Sequence, residues 1–333
     1  MSLEYNHRLS FTDFPNPPTG YAGWPWVTEY IPSQGLPSDS QFWPRISIIT
    51  PNYNQGRYLE EAIRSVLLQG YPNLEYYIID GGSSDESVDI IRKYERWITG
   101  WISEEDTGQS NAINKGARLC TGDIVNWLCS DDSFTQGAFF TVARNFMYPS
   151  LCDVLAGACF CRYDTNPVDN KIRPSKGKEW KKAPYLDGVW QPSCFWRRSL
   201  VKRFNLVDDH LHFCMDRELW CYLQSVAKHW RWTGEVLSVY RYTGCNKSIL
   251  GRRSIIDEID VIYKIYYPEI VSLSGLLRNI WLPLVLKSLG QKNIMIKYFY
   301  LVLAKISTVM LLLCYNNNRV RDLQREYYMY SIW

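Results

Sequence analysis

Apolar positions in residues 45–137 alternate between two periods. The run RISIIT (45–50) is short, apolar and β-branched, and the turn residues PNYNQG follow it. In RYLEEAIRSVLLQ (57–69), Tyr58, Leu59, Ala62, Ile63, Val66 and Leu67 recur at helical spacing on one face. LEYYIID (74–80) predicts a second strand and runs into GGSSDES, a turn and helix start. SVDIIRKYE (87–95) predicts a second helix, ITGWIS (98–103) a third strand, GQSNAINKGARLC (108–120) a third helix and DIVNWLCS (123–130) a fourth strand. Strand–helix alternation with short connections predicts a doubly wound, parallel α/β sheet. Ligands of such sheets bind in the crevice beyond the carboxyl ends of the strands. Asn52, Asp80 and Asp131 each follow the end of a different predicted strand.

The flanks differ. Residues 1–45 carry seven prolines, at 15, 17, 18, 25, 32, 37 and 44, together with Trp24, Trp26, Phe42 and Trp43. Proline removes amide donors, so this segment predicts an irregular arm, and its aromatics predict that the arm lies over the domain. Within 138–250, DVLAGACFCRY (153–163) predicts a strand, and 167–183 a polar, lysine-rich loop, either a cover for the site or a solvated insertion. FCMDRELWCYLQSVA (213–227) has helical spacing, with Leu219, Trp220, Leu223, Val226 and Ala227 on one face. The tail, 251–333, holds two apolar runs, 280–289 and 294–314.

Composition narrows the class. The chain has 333 residues, 46% hydrophobic and 15% aromatic, enough for one large domain and outside the disordered class. Ten cysteines lie scattered without a CxxC, which predicts reduced, mostly buried thiols and a cytoplasmic setting. Four histidines, none at finger spacing, argue against zinc. The first residues, MSLEYNHRLSFTDF, have no apolar core, so no signal peptide is expected. No nucleic-acid partner is expected either.

Charge singles out two places. The first is NWLCSDDSF (126–134), where an apolar run ends in adjacent Asp131 and Asp132. The plain account is a cap for the next helix, expected near Thr135. The chemical account is a divalent cation, Mn2+ or Mg2+, held by carboxylate oxygens together with substrate phosphates. No P-loop or GxGxxG occurs in the chain. The second is the tail, where from Leu276 onward eight Lys/Arg (278, 287, 292, 297, 305, 319, 321, 325) face only Asp322 and Glu326. The run 294–314 is long enough to span a bilayer. Lys297 and Lys305 interrupt it, and a mid-bilayer lysine costs about 2.5–3.5 kcal/mol. Core helices, helices lying on an anionic membrane surface and a membrane span all remain open from the pattern alone.

Residues 46–137 resemble a family 2 inverting glycosyltransferase of the GT-A fold, a doubly wound mixed sheet with a nucleotide-sugar-binding half (46–137) and an acceptor-side half (138–250). The motifs that carry the resemblance are ISIITPNYNQGRYLEEAIRSVLLQ, IIDGGSSDES and WISEEDTGQSNAINKGARLCTGDIVNWLCSDD, with QPSCFWRR and FCMDRELW further on. The resemblance implies a nucleoside-diphosphate sugar donor, a glycan or polyprenyl-linked acceptor and Mn2+ or Mg2+; the expected location is cytoplasmic, with the tail leaving open a place on the inner face of the cytoplasmic membrane. By position it implies that Thr50, Asn52 and Asp80 line the nucleoside pocket and that Lys115 lies near the nucleotide. It further implies that Asp131 faces the ribose or donor sugar, that Asp132 ligates the metal and that Asp216 is the general base. Gln191, Trp196 and Arg197 become acceptor candidates, and Arg241 and Lys247 diphosphate contacts. The chain departs from the family pattern at Cys129, where many relatives begin an Asp-x-Asp, at Gly81, at Met215 and in having no histidine near Thr243.

Locally, Asp216 also suits a helix cap, Asp80 a turn former and Lys115 a solvated helix residue. Two other functions were weighed. A metal-dependent nucleotidyltransferase would carry a glycine- and basic-rich loop after the first strand, and TPNYNQG has one glycine and no lysine. A non-catalytic nucleotide- or glycan-binding module would not need Asp131, Asp132 and Asp216 together.

Overall fold

The computed structural model describes residues 9–31, 43–147, 151–175, 189–247, 251–268 and 271–314, with 320, 321 and 324. Residues 176–183 of the lysine-rich 167–183 segment lie outside these, and a short strand is seen at Lys171–Arg173. The chain divides into two compact units: 1–177, 188–219 and 223–243 form the first, and 178–187, 220–222 and 244–333 the second.

The first unit is a mixed sheet. In chain order its strands are β1 (Ile46–Asn52), β2 (Leu74–Asp80), β3 (Gly100–Ser103), β4 (Ile124–Trp127), β5 (Ser133–Phe134), β6 (Val154–Tyr163), β7 (Lys171–Arg173), β8 (Cys194–Arg197) and β9 (Trp230–Tyr242). They are ordered β3-β2-β1-β4-β8-β6-β9-β5, with β7 paired to β6. The half read most clearly from periodicity, β1 to β4, is parallel. β8 enters antiparallel between β4 and β6, which makes the sheet mixed. β1 is buried along its whole length, as befits a central parallel strand, and buries Ser47, Thr50 and Asn52 along with its apolar residues.

Three helices cover the parallel half: α1 (Gly56–Leu67), α2 (Ser87–Tyr94) and α3 (Gln109–Leu119). α1 buries Leu59, Ala62, Ile63, Val66 and Leu67 on the expected face. α3 packs close on β1 because position 116 is glycine; a Cβ there would lie 2.5 Å from Ile49 Cγ2. α4 (Ala138–Phe146) and α5 (Met215–Val226) follow in the second half.

Arg64 of α1 is fully buried, which the helical pattern alone did not foretell. Its guanidinium donates to the carbonyls of Pro15, Pro25 and Trp26 and to Tyr94 Oη, and lies over the rings of Phe14 and Trp26. Prolines give up amide donors but keep their carbonyls, so the arm supplies acceptors to one buried cation. Trp24 Nε1 donates to the Phe134 carbonyl at 2.8 Å, and Phe14, Trp26 and Trp43 are buried.

None of the nine cysteines whose side chains are described forms a disulfide, and seven of them are buried. In the second unit, α6 (Arg252–Tyr266) is followed by α7 (Val271–Leu276), a π-helical turn (Leu277–Trp281) and α8 (Leu282–Leu289), and then by α9 (Ile294–Cys314). Arg278 pairs with Asp257 and Asp260 of α6.

Candidate functional site

The parallel register sets Asn52 beside Asp80, and Asp80 beside Ser103, at the carboxyl ends of β1, β2 and β3. Asp80 is fully buried. Its Oδ1 accepts from Asn52 Nδ2 (2.7 Å) and Ser83 Oγ (2.5 Å), and its Oδ2 from the Ser83 amide (2.9 Å) and Ser103 Oγ (2.7 Å). Burial is the largest single influence and would push its carboxyl up, but these hydrogen bonds together hold it below the usual carboxylate range. Asp80 is therefore a fixed anion at the pocket edge. Asn52 Oδ1 is buried with no hydrogen-bond donor among the described residues. An amide flip would not mend this, because it would set that oxygen against Asp80. A bound N–H or O–H donor would satisfy it.

Beyond the end of β4 lie Asp131 and Asp132. Neither caps α4, whose N-cap is Gly137. Ser130 Oγ donates to the Pro51 carbonyl at 2.9 Å, tying this turn to the end of β1. The backbone amide of Arg241, on β9, donates to Asp132 Oδ1 at 2.9 Å. Burial, and then the neighbouring Asp131, push the Asp132 carboxyl well up; burial and Asp164 do the same for Asp131 against the pull of Arg241. Carboxylates strained in this way suit a cation. Ligand atoms of Cys129, Asp131 and Asp132 lie within 4.8 Å of one another, so the donor set fits a divalent ion, two hard oxygens and one thiol. The thiol at position 129 was read from sequence only as a departure from Asp-x-Asp; its place in the cluster needed the fold. Gln109 Nε2, on the first residue of α3, donates to Cys129 Sγ at 3.2 Å.

Arg241, expected as a diphosphate contact, serves instead behind the carboxylates. It is 5% exposed, and its guanidinium binds Glu61 Oε2 (2.7 Å), Asp164 Oδ1 (3.2 Å) and the Asp131 carbonyl (3.0 Å). Arg162 pairs with the same two acids. Sequence reasoning missed Glu61 and Asp164, and local pattern holds no signal for either.

The other expected residues divide. Gln191 stays at the site: Nε2 donates to the Trp127 carbonyl at 2.7 Å and to Asn126 Oδ1 at 3.2 Å, at the end of β4. Lys115 pairs with Glu104 at 2.7 Å, close to the Glu105 carbonyl in the loop after β3. Thr50 is fully buried, its hydroxyl bonded to Tyr76 Oη within the sheet. Trp196 is fully buried against Trp127, so it is a core residue and not an acceptor contact. Arg197 is turned to the carbonyls of Cys152 and Phe146, again away from an acceptor role. Lys247 is exposed and belongs to the second unit.

Asp216 lies in the first turn of α5, whose N-cap is Cys214, with no side-chain cap bond; its Oδ1 accepts from the next amide, Arg217 N, at 2.7 Å. Asp216 is therefore not the N-cap residue, although its side chain does serve one first-turn amide. The segment leading into α5 is pinned to α3: Ser110 Oγ donates to the Leu211 carbonyl, and Asn114 bonds Val207 through both its amide groups. Arg203 grips Glu218 through two nitrogens, at 2.6 and 2.7 Å, and fixes the same turn. α3 thus connects Cys129, through Gln109, to the approach of α5.

The profile of Glycosyl transferase family 2 matches residues 47–226, more than half of the chain. The chain belongs to this family. Among curated relatives, a Bacillus subtilis (strain 168) glycosyltransferase named for teichuronic acid biosynthesis, TuaG, is 33% identical over 132 residues, covering 39% of this chain and 52% of that protein. An uncharacterized glycosyltransferase of Rickettsia prowazekii (strain Madrid E) is 37% identical over 189 residues, 53% of this chain and 58% of that one. These matches span about half the length of the relatives. Among solved structures, the mannosyltransferase PcManGT from Pyrobaculum calidifontis, in complex with GDP-Man and Mn2+, has a TM-score of 0.56 at 17% identity, covering 89% of this chain and 88% of that one. S. aureus TarS 1-349 in complex with UDP has a TM-score of 0.54 at 16% identity, covering 86% and 91%. At such identities the likeness speaks for the fold, which is the GT-A fold expected of a family 2 enzyme.

Proposed function

We propose that this chain transfers a glycosyl group from a nucleoside-diphosphate sugar to an acceptor hydroxyl, with inversion at the anomeric carbon. The observation that carries the reading is the arrangement at the carboxyl ends of β1, β2 and β4: a hydrogen-bonded Asp80 anion, the donor-less Asn52 Oδ1, and the Asp131–Asp132 pair. Asn52 Oδ1 receives an N–H or O–H donor of the nucleoside, and Asp80, its own acceptor sites filled by Asn52, Ser83 and Ser103, holds that amide in place. Asp132, with Asp131 and Cys129 beside it, would hold Mn2+ or Mg2+. That ion would supply neutralising charge for the leaving diphosphate. Asp216 takes the proton of the attacking acceptor hydroxyl. Lys115 stands near the nucleotide, and Gln191 at the acceptor side.

The acceptor in this reading is a growing cell-envelope glycan or a polyprenyl-linked precursor, met at the inner face of the cytoplasmic membrane. The name of the Bacillus relative supports the envelope assignment.

The test is donor turnover across a panel of nucleoside-diphosphate sugars with Mn2+ or Mg2+. Release of the nucleoside diphosphate, with opposite anomeric configuration in the product by NMR, is expected. Release of inorganic diphosphate would mark a nucleotidyltransferase, and absence of turnover with every donor a binding module; either overturns the proposal.

A further inference from the structure

Helix α9 is built with its polar logic reversed. At about 100° per residue, Tyr300, Ala304, Ser307, Thr308 and Leu311 share one face, buried or partly buried. α9 packs against α8. The opposite face carries Met295, Phe299, Val302, Ile306, Val309 and Met310, each between 51% and 75% exposed. No polar residue stands in that row. A soluble core helix buries most of such a segment, whereas only 11% of the apolar window in Ile294–Leu312 is buried.

Charge indicates what covers this face. Between Glu269 and Asp322 the sequence contains no carboxylate. Lys292, Lys297 and Lys305 are exposed around the row, while Arg278 is already neutralised by Asp257 and Asp260. On the helical projection Lys305 lies about 90° from the centre of the row and Lys297 about 170°. We infer that α9 lies in the plane of an anionic membrane surface, its apolar row in the acyl boundary and its lysines among the headgroups. A second copy of the chain is a poorer occupant, because a self-complementary contact would bring the same lysines together with no acid to meet them. Crossing the membrane is poorer too. It would place Lys305, twelfth of the 21 residues of α9, near the bilayer centre. α7, the π-helical turn and α8 run on without a break over 271–289, but that stretch carries Arg278 and Lys287, so it is no better suited to cross beside α9.

Flotation with vesicles tests this on the full chain, using phosphatidylcholine alone or mixed with phosphatidylglycerol, at low and high salt. The protein should float with the anionic vesicles and be released by salt. Each lysine charge contributes about fivefold to partitioning, so Lys297→Gln with Lys305→Gln should weaken it about 25-fold. Phe299→Ser with Ile306→Ser should weaken it roughly tenfold or more. These side chains are exposed, so circular dichroism should stay unchanged. Four results would each overturn the inference: no flotation, equal flotation with neutral vesicles, retention after alkaline carbonate extraction, or a concentration-dependent dimer in place of vesicle binding. Flotation involves no sugar transfer, so its failure leaves the proposed function standing and its success does not depend on that function.

Discussion

The backbone amide of Arg241 donates to Oδ1 of Asp132 at 2.9 Å, while the Arg241 guanidinium reaches through to Glu61 on α1. One residue of β9 therefore fixes the buried carboxylate from its main chain and locks strand to helix with its side chain. The ion pairs lie deep: the Arg241, Glu61 and Asp164 side chains are 6%, 13% and 23% exposed. Arg241→Met should cost about 3 kcal/mol in urea unfolding, because it leaves two partly buried acids with only the half-exposed Arg162 beside them. It should also weaken Mn2+ binding by calorimetry, through the displaced Asp132, and Arg241→Lys should recover part of both. If Arg241→Met instead keeps full stability and only raises the KM for donor, Arg241 contacts the diphosphate after all.

Asp132→Asn separates holding the ion from holding the fold. Burial and Asp131 both disfavour the Asp132 charge, so in chelator the variant should be at least as stable as the wild type. Added Mn2+ should raise the melting temperature of the wild type by mass action and leave that of the variant unmoved. Equal Mn2+ stabilisation of both proteins would remove Asp132 from the metal site.

The legible part of the chain was the parallel half. β2 was bounded at 74–80 because a buried parallel strand is a continuous apolar run between turn residues, and α1 because five residues of one stripe are buried. Strand ends and the paired charges picked out Asp80 and Asp132, and the resemblance gave them their roles. The second half was harder to read. β9 is 13 residues long, yet its burial alternates poorly, and its pairing with β6 is broken by register shifts. Trp196 and Arg197 sit on β8, a four-residue strand whose pattern is too short to show which face turns inward. The role of Arg241 depends on Glu61, 180 residues earlier in the chain, a separation that no local spacing can reveal.

Asp216 is not the N-cap residue of α5, and an asparagine keeps an oxygen that can accept from the Arg217 amide, so Asp216→Asn should spare the helix. Asp216→Asn should bind donor and Mn2+ as the wild type does, with an unchanged urea midpoint. Its kcat should fall roughly 10²–10⁴-fold, the range for losing a general base. A variant with a lowered midpoint and full specific activity would return Asp216 to a structural role.

Glu75 offers a pH test remote from the carboxylate pair. It is 8% exposed and ties β1 to the turn before β4. Oε2 accepts from Ser47 Oγ at 2.6 Å, the Thr121 amide at 2.9 Å and the Gly122 amide at 3.1 Å; Oε1 accepts from the Thr121 hydroxyl and from Arg45. Burial, the largest single influence, pushes the carboxyl up, but these donors together hold it below its ordinary value. A depressed native pKa means that the unfolded chain takes up the proton first as pH falls. The Glu75 contribution is therefore fully present above the unfolded value, about pH 4.3, and is lost from there down through the native value. Glu75→Gln should cost about 1–3 kcal/mol at neutral pH, because the amide turns an NH2 toward backbone donors that then lack an acceptor. Urea midpoints of both proteins, followed between about pH 3 and 7, should converge on acidification. Curves that stay parallel through that range would show that Glu75 does not couple folding to pH.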